Sequence, residues 1–340
     1  MVMAKPRIAV VGAGAVGGIV AGFAAKAGCD IELVCKHPEI VRKIGEEGLR
    51  ISGVRGNHTI KLPAVTRISD LSGPKDVVFH ATKATDLISA AREILPFLKD
   101  DSLVASLQNG ICEEALSEVV GRERVVGCVV GWGATMEGPA ELVMTSMGEF
   151  VIGCLDKRSE SRLGEVKEIL ETILPVTVTA DILEALYSKL IINSCITALG
   201  AISGLTLGEM LRLKQARKIF IRIVREAMDV ADTLGLKVPP YANKFDYYNF
   251  FKGPDWKRHL VIRLMGFKYR RLKSSMLQSL ERGRPTEIDF LNGYIGSKGK
   301  ECGVATPVND SIVEMIKEIE RGSRSIGIAN VRDEKVAAFQ

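Results

Sequence analysis

Lys189 and Asn193 stand four residues apart in an otherwise apolar run that includes Leu186, Leu190, Ile191, Ile192 and Ile196. At helical spacing both project from one face. An ammonium among aliphatic side chains must snorkel to water, pair with a charge, or lose basicity through desolvation. A lysine brought towards a neutral pKa is a good general acid. Glu287 is a carboxylate that can hold such an ammonium in position. The competing reading is an ordinary snorkelling helix lysine.

A second chemistry is written at the N-terminus. The run from Arg7 through Val11 has a buried-strand pattern and leads directly into Gly12-Ala13-Gly14-Ala15-Val16-Gly17, after which an apolar helical pattern continues to Ala27. Strand, tight glycine turn and helix, in that order, are the context a dinucleotide-binding fingerprint requires. Gly12 permits the turn, Gly14 lets the backbone approach a pyrophosphate, and Gly17 lets helix and strand pack closely. The phosphates then sit on free N–H groups at the helix N-terminus. The next strand, Ile31 to Val34, ends in Cys35-Lys36-His37, with Lys36 lying 19 residues beyond Gly17. NAD sites usually place Asp or Glu there for the ribose 2′-hydroxyl. Lys36 suits a 2′-phosphate as a point charge, so the sequence favours NADP. Glu32 lies two residues too early to reach the ribose. A solvated loop lysine is the alternative for Lys36.

A chain of 340 residues suffices for two domains of ordinary size. A net charge of +5 assists an anionic ligand, but no dense basic block with interleaved aromatics points to nucleic acid. Seven scattered cysteines, without a CxxC pair or a Cys/His cluster, suit reduced thiols in a cytoplasm and offer no metal site. Leu190 to Gly208 carries no charge and is long enough to span a bilayer. Its Asn193, Ser194, Thr197, Ser203, Thr206 and three glycines fit a buried helix better, so no membrane segment is expected.

Strand and helix patterns alternate through the first half, with further parallel strands at Asp76–Ala81 and Ser102–Leu107. Val125–Thr135, Glu141–Ser146 and Glu149–Gly153 read as strands closing that sheet, and Val176–Thr179 as a last one. From Asp181 onwards helical spacing dominates, at Asp181–Leu199, Lys214–Leu234, Ser274–Glu281, Ile288–Lys300 and Pro307–Glu320. The expected organisation is a dinucleotide-binding domain over 1–180, a helical domain over 181–322 and a frayed tail over 323–340. The aromatic and basic stretch 239–271 takes no assignment; within it, 243–256 fits a lid, an oligomer contact or a mobile loop. Thr82-Lys83-Ala84 and Gln108-Asn109-Gly110 follow the third and fourth strands, at the carboxyl ends where open α/β sheets bind ligands. His80, in an apolar strand, reads as a satisfied buried histidine.

These motifs together resemble the ketopantoate reductase (2-dehydropantoate 2-reductase) family. The resemblance runs from the glycine turn at 12–18 through TKA at 82–84, QNG at 108–110, KLIIN at 189–193, SSMLQ at 274–278 and TEIDFLNGYI at 286–295. It implies an α/β fold: an N-terminal Rossmann-type domain, then an all-α domain of the 6-phosphogluconate dehydrogenase C-terminal-like type, with the active site in the cleft between them. It also implies NADPH-dependent reduction of ketopantoate to (R)-pantoate in pantothenate and coenzyme A biosynthesis. Lys189 is then the general acid, and Glu287 organises the lysine and the nicotinamide ribose. Asn193 meets the substrate hydroxyls and Ser275 its carboxylate, while Asn109 and Lys83 contact the cofactor and the edge of the substrate site. Each has a plainer alternative: Asn109 as a turn residue, Ser275 as a helix cap, Glu287 as a first-turn acid.

Two departures stand out. Thr197 occupies the position one turn beyond Asn193 where the family often has a second substrate-binding asparagine. Leu272-Lys273 precedes the serine pair where some members have another. Thr197 keeps a hydroxyl but has a shorter reach, so a different small 2-oxo acid is the alternative substrate. A cytoplasmic enzyme without nucleic-acid or membrane partners is expected, with a homodimer through the helical domain as an open alternative.

Overall fold

The computed structural model describes residues 5–242 and 244–337, so Asn243 and the last three residues of the expected tail lie outside it. Among the described residues there are twelve strands: β1 Arg7–Val11, β2 Asp30–Val34, β3 Leu49–Gly53, β4 His58–Ile60, β5 Ala64–Val65, β6 Lys75–His80, β7 Leu98–Ser106, β8 Val125–Val130, β9 Gly133–Gly138, β10 Glu141–Ser146, β11 Phe150–Cys154 and β12 Val176–Val178. Eight of them form one sheet in the order β12-β11-β8-β7-β6-β1-β2-β5. The pairs from β8 to β5 are all parallel, and β11 joins β8 antiparallel. Ile8 to Val11 are buried, as an apolar run in the middle of a parallel sheet covered on both faces must be.

The expected strand over Val125–Thr135 is in fact two. It breaks at Gly131 and Trp132, and β9 and β10 leave the main sheet for a four-stranded one ordered β4-β3-β10-β9. That second sheet rests on the helix Ala15–Lys26. A Cβ at Gly18 would run into Leu142 Cδ1 at 2.5 Å, and one at Gly22 into Ile51 Cδ1 at 2.6 Å. Two glycines one turn apart thus give the helix a bare face on which the sheet lies.

The chain divides into two compact units, residues 1–108 with 112–183, and 109–111 with 184–340. The second is built from helices. Its centre, Ile182–Ser203, is mostly buried, which accounts for a charge-free run of membrane-spanning length. Three of its polar side chains are satisfied internally, Tyr187 donating to the Ala227 carbonyl at 2.8 Å, Ser188 to Pro239 at 2.8 Å and Ser203 to Leu199 at 2.6 Å, whereas the buried Ser194 hydroxyl has no partner among the described residues. Glu226, buried on the helix Lys214–Thr233, accepts from the N–H groups of Val308 and Asn309 and so caps the helix Pro307–Glu320 from outside. Burial pushes its carboxyl upwards against the pull of those donors.

The unassigned stretch contains the helices Tyr247–Phe251 and Asp255–Lys268. Tyr247 is fully buried and donates to the Ser188 carbonyl at 2.5 Å, next to Lys189. The tail is not frayed as far as Val336. Gly327 N and Asn330 Nδ2 both donate to the Ile202 carbonyl, and Val331 and Val336 are buried.

Candidate active site

In the first unit, Gly12 adopts φ +114°, and a Cβ there would lie 2.6 Å from the Ala81 carbonyl group. Its N–H donates to Val34, while Ala81 N donates to Val11, so the turn is locked between β2 and β6. A Cβ at Gly17 would overlap the Gly12 carbonyl oxygen, whereas one at Gly14 meets nothing within 4 Å. Gly14 is the N-cap of Ala15–Lys26, which has neither a side-chain cap nor an acidic residue in its first turn. An open approach above Gly14 and uncapped N–H groups together fit a pyrophosphate. Ala13, Ala15 and Val16 supply the backbone of that turn.

The loop after β6 is tied to the end of β7. Gln108 Nε2 donates to Thr82 Oγ1 at 3.1 Å, Thr82 donates to the Lys83 carbonyl, and Ser106 donates to Gln108. Gln108 is therefore a positioning residue that the sequence showed only as part of QNG. Lys36 is exposed at the end of β2 and pairs with Asp86 at 2.7 Å, three residues past Lys83. Glu32 is buried, paired with Lys75, and accepts from the Ser72 hydroxyl at 2.8 Å. Burial pushes its carboxyl up, but Lys75 and Ser72 outweigh that and hold it below the usual range. A carboxylate so occupied is not a ribose acceptor.

His80 closes β6 and is fully buried; Nδ1 meets Thr82 Oγ1 at 3.3 Å, but Nε2 has no hydrogen-bond partner among the described residues. The expectation of a fully satisfied histidine fails on that atom. Desolvation lowers its pKa to about 4. The folded value lies below the unfolded one, so His80 supports folding above pH 6.5 and that support is lost as pH falls towards 4. We expect a loss of about 2–3 kcal/mol between pH 7 and 4.5 from this group. Urea midpoints at both pH values should converge in His80→Leu relative to wild type; an unchanged pH slope would refute the assignment.

In the second unit, Lys189, Asn193 and Thr197 succeed one another on one face of Ile182–Ser203, Lys189 half-buried and the other two buried. The Thr197 hydroxyl donates to the Asn193 carbonyl at 2.6 Å, so its proton is committed to its own helix. Asn193 Nδ2 reaches Asn109 Oδ1 at 3.5 Å, which brings the QNG asparagine onto this face. Ser274, not Ser275, caps the helix Ser275–Glu281, accepting from Leu277 N. Its hydroxyl also lies 3.1 Å from the Thr197 carbonyl, an approach that Gly200 permits because a Cβ there would sit 2.8 Å from Ser274 Oγ. Ser275 is left exposed at the first helical position.

Glu287 is half-buried at the head of the turn Ile288–Phe290. Thr286 anchors the turn through two 2.7 Å bonds to Glu320, and the Phe290 carbonyl faces Gly110, where a Cβ would overlap it. The loop carrying Asn109 is therefore seated on the segment carrying Glu287. Asp289 pairs with Lys317 at 2.5 Å, and Asn292 donates to Asn309 at 2.9 Å, so both brace the framework. Among the described residues no group of His, Cys, Asp and Glu could hold a metal ion.

A mostly parallel sheet with a glycine turn at its centre, followed by a wholly helical unit bearing a buried polar face, defines a dinucleotide-binding oxidoreductase. Two family descriptions match the chain, "Ketopantoate reductase PanE/ApbA" over residues 8–157 and its C-terminal counterpart over 181–320. The chain belongs to the ketopantoate reductase family. It is 30% identical to a 2-dehydropantoate 2-reductase of Pyrococcus horikoshii, over 92% of this chain and 97% of that protein. It is 27% identical to one of Archaeoglobus fulgidus, covering 94% of this chain and all of that one. Among solved structures, a family member from Ralstonia eutropha superposes with a TM-score of 0.80 at 30% identity, covering 94% of this chain and all of that one. A D-mandelate dehydrogenase holding NADH and anilino(oxo)acetate superposes with a TM-score of 0.79 at 26% identity, covering 93% and 98%.

Proposed function

We propose that this enzyme reduces 2-dehydropantoate to (R)-pantoate with NADPH, the pantoate-forming step of pantothenate and coenzyme A biosynthesis. The observation that carries the reading is the Lys189–Asn193–Thr197 face with Asn109 bonded to Asn193. The turn of Gly12 to Gly17, with Lys83 and Asn109, would hold the cofactor, whose chemistry when bound would be hydride donation to the keto carbon. Lys189 gives a proton to the carbonyl oxygen, so the C=O bond becomes CH–OH and the lysine regains its proton from solvent. Its ammonium acts where the alkoxide charge develops. Glu287 orients that ammonium and the nicotinamide ribose, Asn193 and Asn109 bond the substrate's polar groups, and the exposed Ser275 hydroxyl meets its carboxylate.

Lys36 selects the 2′-phosphate. Its pairing with Asp86 is exposed and weak, so a phosphate dianion displaces it. Lys36→Ala should raise the NADPH KM by about tenfold and leave NADH untouched, since about 1.4 kcal/mol of charge pairing is lost. Equal effects on both cofactors would refute the NADP reading.

A second reading has one specific support. The Thr197 hydroxyl is bonded to its own helix, and the D-mandelate dehydrogenase neighbour acts on a 2-hydroxy acid with no pantoate hydroxyl to recognise. Following nicotinamide absorbance with ketopantoate, 2-oxo-3-methylbutanoate and phenylglyoxylate separates the two. A preference for ketopantoate in kcat/KM supports the first; turnover confined to the other acids overturns it.

A further inference from the structure

The segment that carries Glu287 is held from one side by a single helix, Pro307–Glu320. Thr286 is buried and donates both its N–H and its hydroxyl to the same oxygen of Glu320, Oε1, at 2.7 Å each. The Thr286 hydroxyl also accepts from the N–H of Ile288 at 3.3 Å, which closes a small loop with Glu287 as the residue inside it. Two residues beyond Glu287, Asp289 meets Lys317 Nζ at 2.5 Å, and the same ammonium faces the other oxygen of Glu320 at 3.6 Å. Further on, Asn292 donates to Asn309, which is itself held by Glu226 through a 2.7 Å bond. The anchors at Asn309, Lys317 and Glu320 thus all lie on one helix. None of these bonds uses the Glu287 carboxylate, so together they fix the backbone from which it projects.

Glu320 is the last residue of its helix, and its side chain is only 17% exposed. A carboxylate there stands at the negative end of the helix dipole, where a cation is the stabilising choice. Its own helix gains nothing from it; the Thr286 segment gains two hydrogen bonds. We propose that Glu320 is a positioning residue for the reaction, setting the direction of Glu287 through Thr286, while Lys317 neutralises Glu320 and Asp289. The assignment rests on the role given above to Glu287, which orients the Lys189 ammonium. Thr286 cannot swing without breaking both bonds to Glu320 and releasing the N–H of Ile288, so the two backbone atoms that flank Glu287 are held at once. Such aim matters because a displacement of about 1 Å in a reacting group costs on the order of 100-fold in rate.

Steady-state kinetics of the full chain with NADPH test this, using ketopantoate or whichever of the other two acids it prefers. Glu320→Ala and Thr286→Val should each lower kcat about 10- to 100-fold and move the KM for the oxo acid less than about threefold. Glu320→Gln keeps the oxygen that accepts from Thr286, and Thr286→Ser keeps the hydroxyl, so both should stay within about threefold of wild type. The decisive comparison is made in a Glu287→Gln background. A residue that acts only through Glu287 adds less than about twofold there, whereas a general loosening of the helical unit multiplies in full. Far-UV circular dichroism identifies a Glu320→Ala that has lost its fold, in which case Thr286→Val against Thr286→Ser decides. A loss that multiplies in full overturns the proposal alone. So do Glu320→Ala and Thr286→Val that keep wild-type kcat beside an impaired Glu287→Gln. A Glu287→Gln enzyme with wild-type kcat, or a wild type that reduces none of the three acids, overturns the reading of Glu287, and the positioning role falls with it.

Discussion

Lys189→Ala is expected to lower kcat for 2-oxo acid reduction by about 10²- to 10⁴-fold, the range removed with a positioned general acid. Dinucleotide affinity, carried by the glycine turn in the other unit, should move by no more than about twofold, because an interaction made in the transition state leaves ground-state binding intact. Asn193→Ala should act differently and raise the KM for the oxo acid, since the proposed role of its amide is to bond substrate rather than to move the proton. Methylammonium added to Lys189→Ala should restore part of the lost rate by occupying the vacated volume as a diffusible acid. A Lys189→Ala enzyme that retains more than about a tenth of wild-type kcat would remove the lysine from the mechanism. Tyr247 bears on the same step. Its bond to the Ser188 carbonyl holds the backbone next to Lys189, so Tyr247→Phe tests whether that anchoring contributes to kcat.

The turn at Gly12 to Gly17 could be read from the chain because each glycine answers a local demand: a positive φ, an open approach and a close packing contact all lie within six residues. The helix at Ile182–Ser203 was legible for a similar reason, since its Lys189, Asn193 and Thr197 recur at one turn. What escaped depends on distant partners. The second sheet joins Leu49–Gly53 to Glu141–Ser146, some 90 residues apart, and β3 alone is too short and too mixed to announce itself. The glycines at 18 and 22 that receive this sheet look like ordinary helix weakness until Leu142 and Ile51 are seen beside them. Which of two adjacent serines caps a helix is decided by the Thr197 carbonyl, 77 residues away. Asn109 likewise follows a strand of the first unit but belongs to the second through Asn193, a membership no local pattern states.

Lys75→Met should cost about 3–5 kcal/mol of stability at pH 7, the largest single-site loss expected in the first unit. Lys75 is almost wholly buried at the start of β6, and its ammonium meets Glu32 on β2, so the pair links the two strands that flank β1. Removing the ammonium leaves a buried carboxylate with only Ser72 to satisfy it. The pH dependence should then weaken. In the wild type the Glu32 carboxyl is held down, so its contribution is present above its unfolded pKa and is lost as acid protonates it. In Lys75→Met burial is opposed by Ser72 alone, so that pKa rises relative to wild type and less stability is lost as acid protonates the carboxyl. The deficit relative to wild type should therefore shrink at acid pH. Glu32→Gln combined with Lys75→Met should recover part of the loss, with a coupling energy of about 1–3 kcal/mol in a double-mutant cycle of urea unfolding. Additive losses, or a deficit that does not vary with pH, would show that Lys75 acts through packing of its aliphatic chain alone. Because the Gly12 N–H donates to the carbonyl of Val34 at the end of β2, a slackened β2 should also reduce dinucleotide affinity in the single mutant and regain it in the double.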